Sequence, residues 1–114
     1  VILGFNTASE KFLQAEFEDL GVRTIVTTAD GSFGVKGFVT DAMKELDFTF
    51  FYACGPTPMF RAILRATEKP GQLSLEARMG CGFGACMGCS IETADGPKRI
   101  CRDGPVFDRE VLKW

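Results

Sequence analysis

The chain has 114 residues, of which 46% are hydrophobic and 25% charged, and a net charge of −2. These values fit one modest globular domain with a core of its own. They argue against nucleic acid as a partner; no apolar run reaches the length of a membrane span, and no leader peptide is visible, so a cytoplasmic protein is expected.

Val1 to Phe5 reads as a strand that begins without any lead-in, and the first residue is not Met. The expectation is a fragment or a processed product. Thr7 to Glu10 has the pattern of a capping box. It leads into a helix whose apolar face would hold Phe12, Leu13, Phe17 and Leu20 and which Gly21 would stop. Val22 to Thr27 is a β-branched strand. Phe38, Val39, Ala42, Met43 and Leu46 have helical spacing. Phe48 to Cys54 is a continuous apolar run, as in a strand covered on both faces. Thr57 and Pro58 suit an N-cap and a first helical position. The helix continues with Met59, Phe60, Ile63 and Leu64 as its buried stripe, until Lys69, Pro70 and Gly71 break it.

Apolar runs alternating with helical patterns predict an α/β fold with a parallel sheet. The expected class is part of a doubly wound parallel-sheet nucleotide-binding domain, residues 1–72, followed by a small Cys-rich segment of strands and loops, residues 73–114. Leu73 to Ala77 would add one more strand. In the tail, Val111, Leu112 and Trp114 need a surface to cover.

Ligands of open α/β sheets bind at the carboxyl ends of the strands. Three segments fall there: Gly4 to Thr7; Asp30 to Gly34 with Lys36 and Gly37; and Ala53 to Thr57, which runs into a helix N-terminus that favours anions such as pyrophosphate. None is specific alone. Gly4 is equally a strand-end glycine, and Asp30-Gly31 is turn chemistry with or without a ligand. Cys54, at the end of an apolar run, reads by itself as a small buried hydrophobe. A G-x-G-x-x-G fingerprint is absent; in a dinucleotide-binding fold, the first strand–turn–helix would lie before Val1.

The strongest signal is cysteine spacing. Cys81, Cys86 and Cys89 follow C-x4-C-x2-C, and Cys101 comes after eleven further residues. This is the plant-type [2Fe–2S] ligand pattern. A cluster with four thiolates is anionic, and backbone N–H groups in tight turns supply dipoles of the opposite sign. Gly80, Gly82, Gly84 and Gly88 alternate with the ligands, where glycine permits positive φ and close approach of backbone. Ser90 to Thr93 and Lys98 to Cys101 flank a turn sequence, so a hairpin strand would return Cys101 to the loop. Two other readings compete with this one. Structural zinc prefers two C-x2-C-like pairs, and only Cys86 and Cys89 form one. Disulfides need an oxidising compartment and a spacing that this short loop does not offer. The lack of His excludes a Rieske centre. Cys54 lies 27 residues before Cys81 and falls outside the set.

Tyr52-Ala-Cys-Gly-Pro-Thr-Pro-Met59 resembles the C-G-P-x-x-M motif of the ferredoxin–NADP reductase family. The cysteine loop, Asp30-Gly-Ser-x-Gly-x-Lys-Gly37 and Cys101-x-Asp-Gly-Pro-Val-Phe107 narrow the likeness to the electron transfer subunits of dihydroorotate dehydrogenase B. The resemblance implies a flavin-binding barrel that this chain lacks, an NAD-binding domain and a [2Fe–2S] segment. It implies Cys81, Cys86, Cys89 and Cys101 as cluster ligands. Cys54, Gly55 and Pro56 would lie near nicotinamide and flavin, and Gly4, Phe5, Asn6 and Asp30 would contact the rest of the nucleotide. The implied path runs from FMN in a separate dihydroorotate-oxidising subunit, through the cluster and FAD, to NAD⁺, in a heterotetramer that serves pyrimidine biosynthesis. No general acid or base is assigned. Subunits of ferredoxin-dependent NADP reductases and sulfide dehydrogenases have a similar body but typically carry Asp at the first cluster position, where this chain has Cys81; a reductase subunit of another system, of ferredoxin, sulfide dehydrogenase or hydrogenase type, is the second alternative. A zinc-stabilised binding module is the third alternative.

Overall fold

A computed structural model describes all 114 residues. The chain packs as two compact units, Val1–Asp47 and Phe48–Trp114. The composition change near residue 72 falls within the second.

In the first unit, β1 (Ile2–Phe5), β2 (Ile25–Thr28) and β3 (Val35–Lys36) form a parallel sheet in that order. Ile2 pairs with Ile25 and Phe5 with Thr28. The buried positions are Val26, Thr27 and Thr28 on β2 and Ala42 on α2 (Val39–Met43). Gly4 lets α2 lie directly on β1: a Cβ there would sit 2.6 Å from the Val39 side chain. The Phe38 N–H donates to the Asp41 carboxylate at 2.8 Å and so caps α2. The helix predicted after Thr7 is broken in two. A 3-10 turn covers Ala8–Glu10, and α1 spans only Gln14–Asp19. The Glu10 carboxylate accepts from the Asn6 N–H at 3.2 Å rather than from Thr7, so the capping box is displaced by one residue. Lys11 is extended and Leu13 left-handed, which ends the first turn. The predicted apolar face is not buried: Phe12, Leu13 and Leu20 are exposed, and Phe12 lies tilted against the Phe5 ring, 5.5 Å between centroids.

In the second unit, β4 (Phe51–Cys54) and β5 (Gly71–Ser74) are parallel and joined through α3 (Thr57–Ala66), while β8 (Val106–Asp108) runs antiparallel beside β5. Phe51, Phe60, Ile63, Leu73, Leu75, Phe107 and Leu112 make the core. Leu73 and Leu75 face inward two residues apart, as the strand period requires. The run to Cys54 is not covered on both faces: Phe51 is buried, but Tyr52 is 80% exposed. α3 starts at Thr57 with Pro56 as its cap residue, one position earlier than expected, and ends at Ala66. The tail finds its surface. Leu112 is buried, and Trp114 stacks on Phe60 with centroids 6.0 Å apart. β6 (Ser90–Thr93) and β7 (Gly96–Arg99) form the expected hairpin, paired Ser90 to Arg99.

The mixed α/β class with parallel strands matches the expectation from sequence. The parallel strands divide between two sheets, with β1 and β4 each paired on one side only.

Candidate metal centre

After the buried Leu75 the chain leaves the sheet as an irregular loop, residues 76–89, that carries Cys81, Cys86 and Cys89. The fourth cysteine was expected on a strand. It lies instead on α4 (Ile100–Asp103), a single helical turn that follows β7 directly. The reason is local. Ile100 is buried, and its N–H donates to the Cys89 carbonyl at 3.2 Å, which turns the chain inward just before Cys101.

Backbone amides point at the sulfurs. The Ala85 N–H donates to Cys81 Sγ at 3.2 Å and the Cys86 N–H at 3.5 Å. The Gly88 N–H donates to Cys86 Sγ at 3.5 Å, and the Cys101 N–H to Cys89 Sγ at 3.4 Å. These donors stabilise thiolate over thiol. The amides of Cys86 and then Phe83 hold the Cys81 thiol down to about 6. The Cys101 amide lowers Cys89. Cys101 is pushed up, first by its hydrogen bond with the Cys89 side chain, then by burial and by the charges of Cys89 and Cys81. Backbone-to-sulfur bonds thus link Cys86 to Cys81 and Cys101 to Cys89.

No three His, Cys, Asp or Glu side chains converge closely enough to hold one metal ion. Four cysteines whose loop amides face sulfur fit an anionic iron–sulfur group, and the spacing lacks the second C-x2-C pair usual in a zinc site.

The loop glycines divide by role. Gly82 and Gly84 adopt φ of +74° and +95°, where a side chain is strained. Gly80 and Gly88 do not; they give room, since a Cβ would lie 3.3 Å and 3.6 Å from Cys86 Sγ. A further left-handed residue is Met87, φ +62°. Phe83 and Met87, 72% and 57% exposed, face solvent and do not fold inward as a lid.

Sequence reasoning gave no role to Arg99 or Asp103. An Arg99 Nη1–H donates to the Gly84 carbonyl at 2.6 Å. The Arg99 N–H donates to the Asp103 carboxylate at 2.7 Å, and the two side chains form an ion pair at 3.9 Å. The Arg99 amide, more than any other group, holds the Asp103 carboxyl below its ordinary range. A clue was present: Lys98, Arg99 and Arg102 crowd around Cys101 in a chain with more acids than bases.

The residues expected around the nucleotide fall in separate units. In the first, Gly4 fits against Val39, and the Phe5 carbonyl accepts the Ala29 N–H. The Asn6 carbonyl accepts the Asp30 N–H at 3.2 Å, so Asn6 and Asp30 meet at the carboxyl ends of β1 and β2. The Asp30 carboxylate accepts the Ser32 hydroxyl at 2.6 Å and the Ser32 N–H at 2.9 Å, which keep its carboxyl below the usual range. Ser32 also accepts the Ala8 N–H at 2.8 Å, so it stitches the turn to the loop after β1. In the second unit, Cys54 ends β4 exposed, not buried as its apolar run suggested. Gly55 allows the Met59 side chain to approach, and the Pro56 carbonyl accepts the first α3 amides, Met59 N–H at 3.0 Å and Phe60 N–H at 3.3 Å.

The second unit thus joins parallel α/β strands to a cysteine loop whose backbone amides face sulfur. Residues 76–113 match the iron–sulfur cluster binding domain of dihydroorotate dehydrogenase B. Over 94% of its length the chain is 46% identical to the electron transfer subunit of dihydroorotate dehydrogenase B (NAD⁺) from Fusobacterium nucleatum, and over 93% it is 45% identical to that of Shouchella clausii. The chain spans 44% and 43% of those two proteins. It is also similar to a solved NADH-dependent reduced ferredoxin–NADP oxidoreductase, described for flavin-based electron bifurcation. That likeness has a TM-score of 0.83 at 34% identity and covers 99% of this chain and 43% of the other. No helix is long and apolar enough to cross a membrane.

Proposed function

We propose that this chain is the cluster-bearing part of an electron transfer subunit, which carries electrons from the FMN of a dihydroorotate dehydrogenase catalytic subunit, by way of [2Fe–2S] and FAD, to NAD⁺ in the cytoplasm. Cys81, Cys86, Cys89 and Cys101 would hold the cluster. The observation that carries this reading is the set of backbone N–H groups aimed at the sulfurs of Cys81, Cys86 and Cys89. When bound, such a cluster supplies one-electron transfer, which a hydride acceptor needs a flavin to collect.

The chain's own work is positional. The loop amides offset negative charge on sulfur, which favours the thiolate state needed for iron binding. The exposed Phe83 and Met87 put apolar surface beside the ligands, where a catalytic subunit would dock in a heterotetramer. Cys54, Gly55 and Pro56 stand at the carboxyl end of β4, suited to the nicotinamide and flavin. Gly4, Phe5, Asn6 and Asp30 stand at the ends of β1 and β2, suited to the remainder of NAD.

The test is to mix the full-length protein anaerobically with the FMN subunit, add dihydroorotate and follow bleaching of the cluster absorption. Bleaching that requires the FMN subunit is the expected result. A cluster that dithionite reduces but dihydroorotate never does refutes the assignment of partner. It would favour a reductase of another system, the reading to which the solved ferredoxin–NADP oxidoreductase lends weight.

A further inference from the structure

We infer that Arg99 is a positioning residue for the metal centre: it latches the loop bearing Cys81 and Cys86 to the helical turn bearing Cys101 and places a fixed positive charge beside the cluster. This rests on the proposal that the four cysteines bind one.

The ligands come from two stretches of chain with no regular hydrogen bonding between them along residues 80–87. The hairpin brings Cys101 back to Cys89, through pairing of Ser90 with Arg99 and the bond from Ile100 to the Cys89 carbonyl. The strand pairing of the hairpin does not extend to Cys81 or Cys86. The Arg99 side chain does reach their loop, with its Nη1–H on the Gly84 carbonyl between those two cysteines. Gly84 cannot drift away easily, because the Arg102 stem lies beneath it; a Cβ there would be 3.0 Å from Arg102 Cδ. Asp103 braces the base of the latch by accepting from the Arg99 N–H and pairing with its Nε. The Arg99 side chain is only 25% exposed, so its charge is partly withdrawn from solvent and is screened less than a surface charge.

Two consequences separate. As a latch, Arg99 narrows the range of distances between the loop cysteines and Cys101; outer contacts of this kind typically alter metal affinity by about 10–100-fold. As a charge, it favours the more negative, reduced cluster and raises the reduction potential. Lysine keeps the charge but cannot hold a carbonyl and a carboxylate with a planar fork.

The experiment compares Arg99→Gln, Arg99→Lys and the remote surface control Arg65→Gln in the full-length protein. The readouts are iron loss to a chelator, midpoint potential, and hydrogen exchange of residues 80–88 in the iron-free form. Arg99→Gln should lose iron about tenfold faster or more and have a lower midpoint potential. Arg99→Lys should lose iron faster while keeping a potential near that of the wild type. Both should exchange faster at residues 80–88 without iron. Unchanged exchange and unchanged iron loss in Arg99→Gln overturn the latch, and an unchanged potential overturns the role of the charge. Failure of the wild-type protein itself to take up iron would instead refute the cluster, and the exchange measurement would still decide whether the latch exists.

Discussion

Alanine substitution at three loop glycines should give a graded series, because the structure assigns each a different demand. At Gly88 the backbone is outside the left-handed region, and a Cβ would rest 3.6 Å from Cys86 Sγ, an ordinary contact. Its N–H to that sulfur would survive. Gly88→Ala should therefore be neutral, or gain up to roughly 0.4–1 kcal/mol from a less flexible unfolded chain. Gly82 has φ +74° but open space around it, so alanine meets only the left-handed penalty, about 1–2 kcal/mol. Gly84 has φ +95° and Arg102 beneath it, 3.0 Å to Cδ and 3.2 Å to Cβ. Alanine there carries the same penalty and must also displace the segment that holds Cys101.

At about 1.4 kcal/mol per factor of ten, Gly82→Ala should weaken iron retention about tenfold, and Gly84→Ala by more. The assay is the rate of iron loss to a chelator from anaerobically reconstituted protein, with the iron-to-protein ratio at zero time. The order Gly84→Ala, Gly82→Ala, Gly88→Ala, from fastest to slowest, is the expected outcome. A Gly88→Ala protein that loses iron as fast as Gly84→Ala would refute the reasoning, since no backbone demand distinguishes them in that case.

Serine at Cys81, Cys86, Cys89 or Cys101 should each reduce bound iron sharply, whereas Cys54→Ser should leave the iron content at the wild-type value, as metal analysis would show. In iron-free protein, Cys81 should be alkylated by iodoacetamide with a rate that rises with pH through a midpoint of about 6, while Cys101 reacts only at higher pH. The sign follows from the thiolate being the nucleophile, and peptide mapping of the labelled protein would check it. Thr27 Oγ1 is buried and has no hydrogen-bond partner. Thr27→Val should therefore stabilise the fold by about 1 kcal/mol, visible as a higher Tm, and a lower one would count against it.

The sequence was informative where chemistry constrains spacing and uninformative where packing decides. The cysteine-rich loop, the hairpin between Cys89 and Cys101 and the strand of Ile2–Phe5 were legible because cysteine spacing, turn residues and short apolar runs are local signals. The face of Phe12, Leu13 and Leu20 was misread as core, since periodicity states which residues can share a face but not whether anything covers it. Tyr52 was misread for the same reason: an apolar run does not distinguish a central strand from one paired on a single side. Cys101 moved from strand to helical turn because burial of Ile100 and its bond to the Cys89 carbonyl bend the chain, and that bond reaches a residue eleven positions away in sequence. Arg99 was invisible for a related reason. Its role is a contact with a backbone carbonyl fifteen residues upstream, and no side-chain pattern encodes that.

The cysteine segment is short and mostly irregular, so its order must come from a few anchors. Thr93 is fully buried, its hydroxyl donates to the Gly96 carbonyl at 2.5 Å, and it bridges to Leu112. The Ala94 N–H donates to the Val111 carbonyl at 2.8 Å. The Arg109 guanidinium donates to the carbonyls of Thr67 and Lys69, each at 2.7 Å, beyond the end of α3. The tail thus fastens the hairpin on one side and the helix on the other, and the hairpin in turn fixes Cys89 against Cys101. Cys81 and Cys86 sit outside this chain of support and depend on Arg99 and on amides from their own loop. A bound metal group would therefore add most order at Cys81 and Cys86, because binding free energy stabilises most where the unliganded chain is held least.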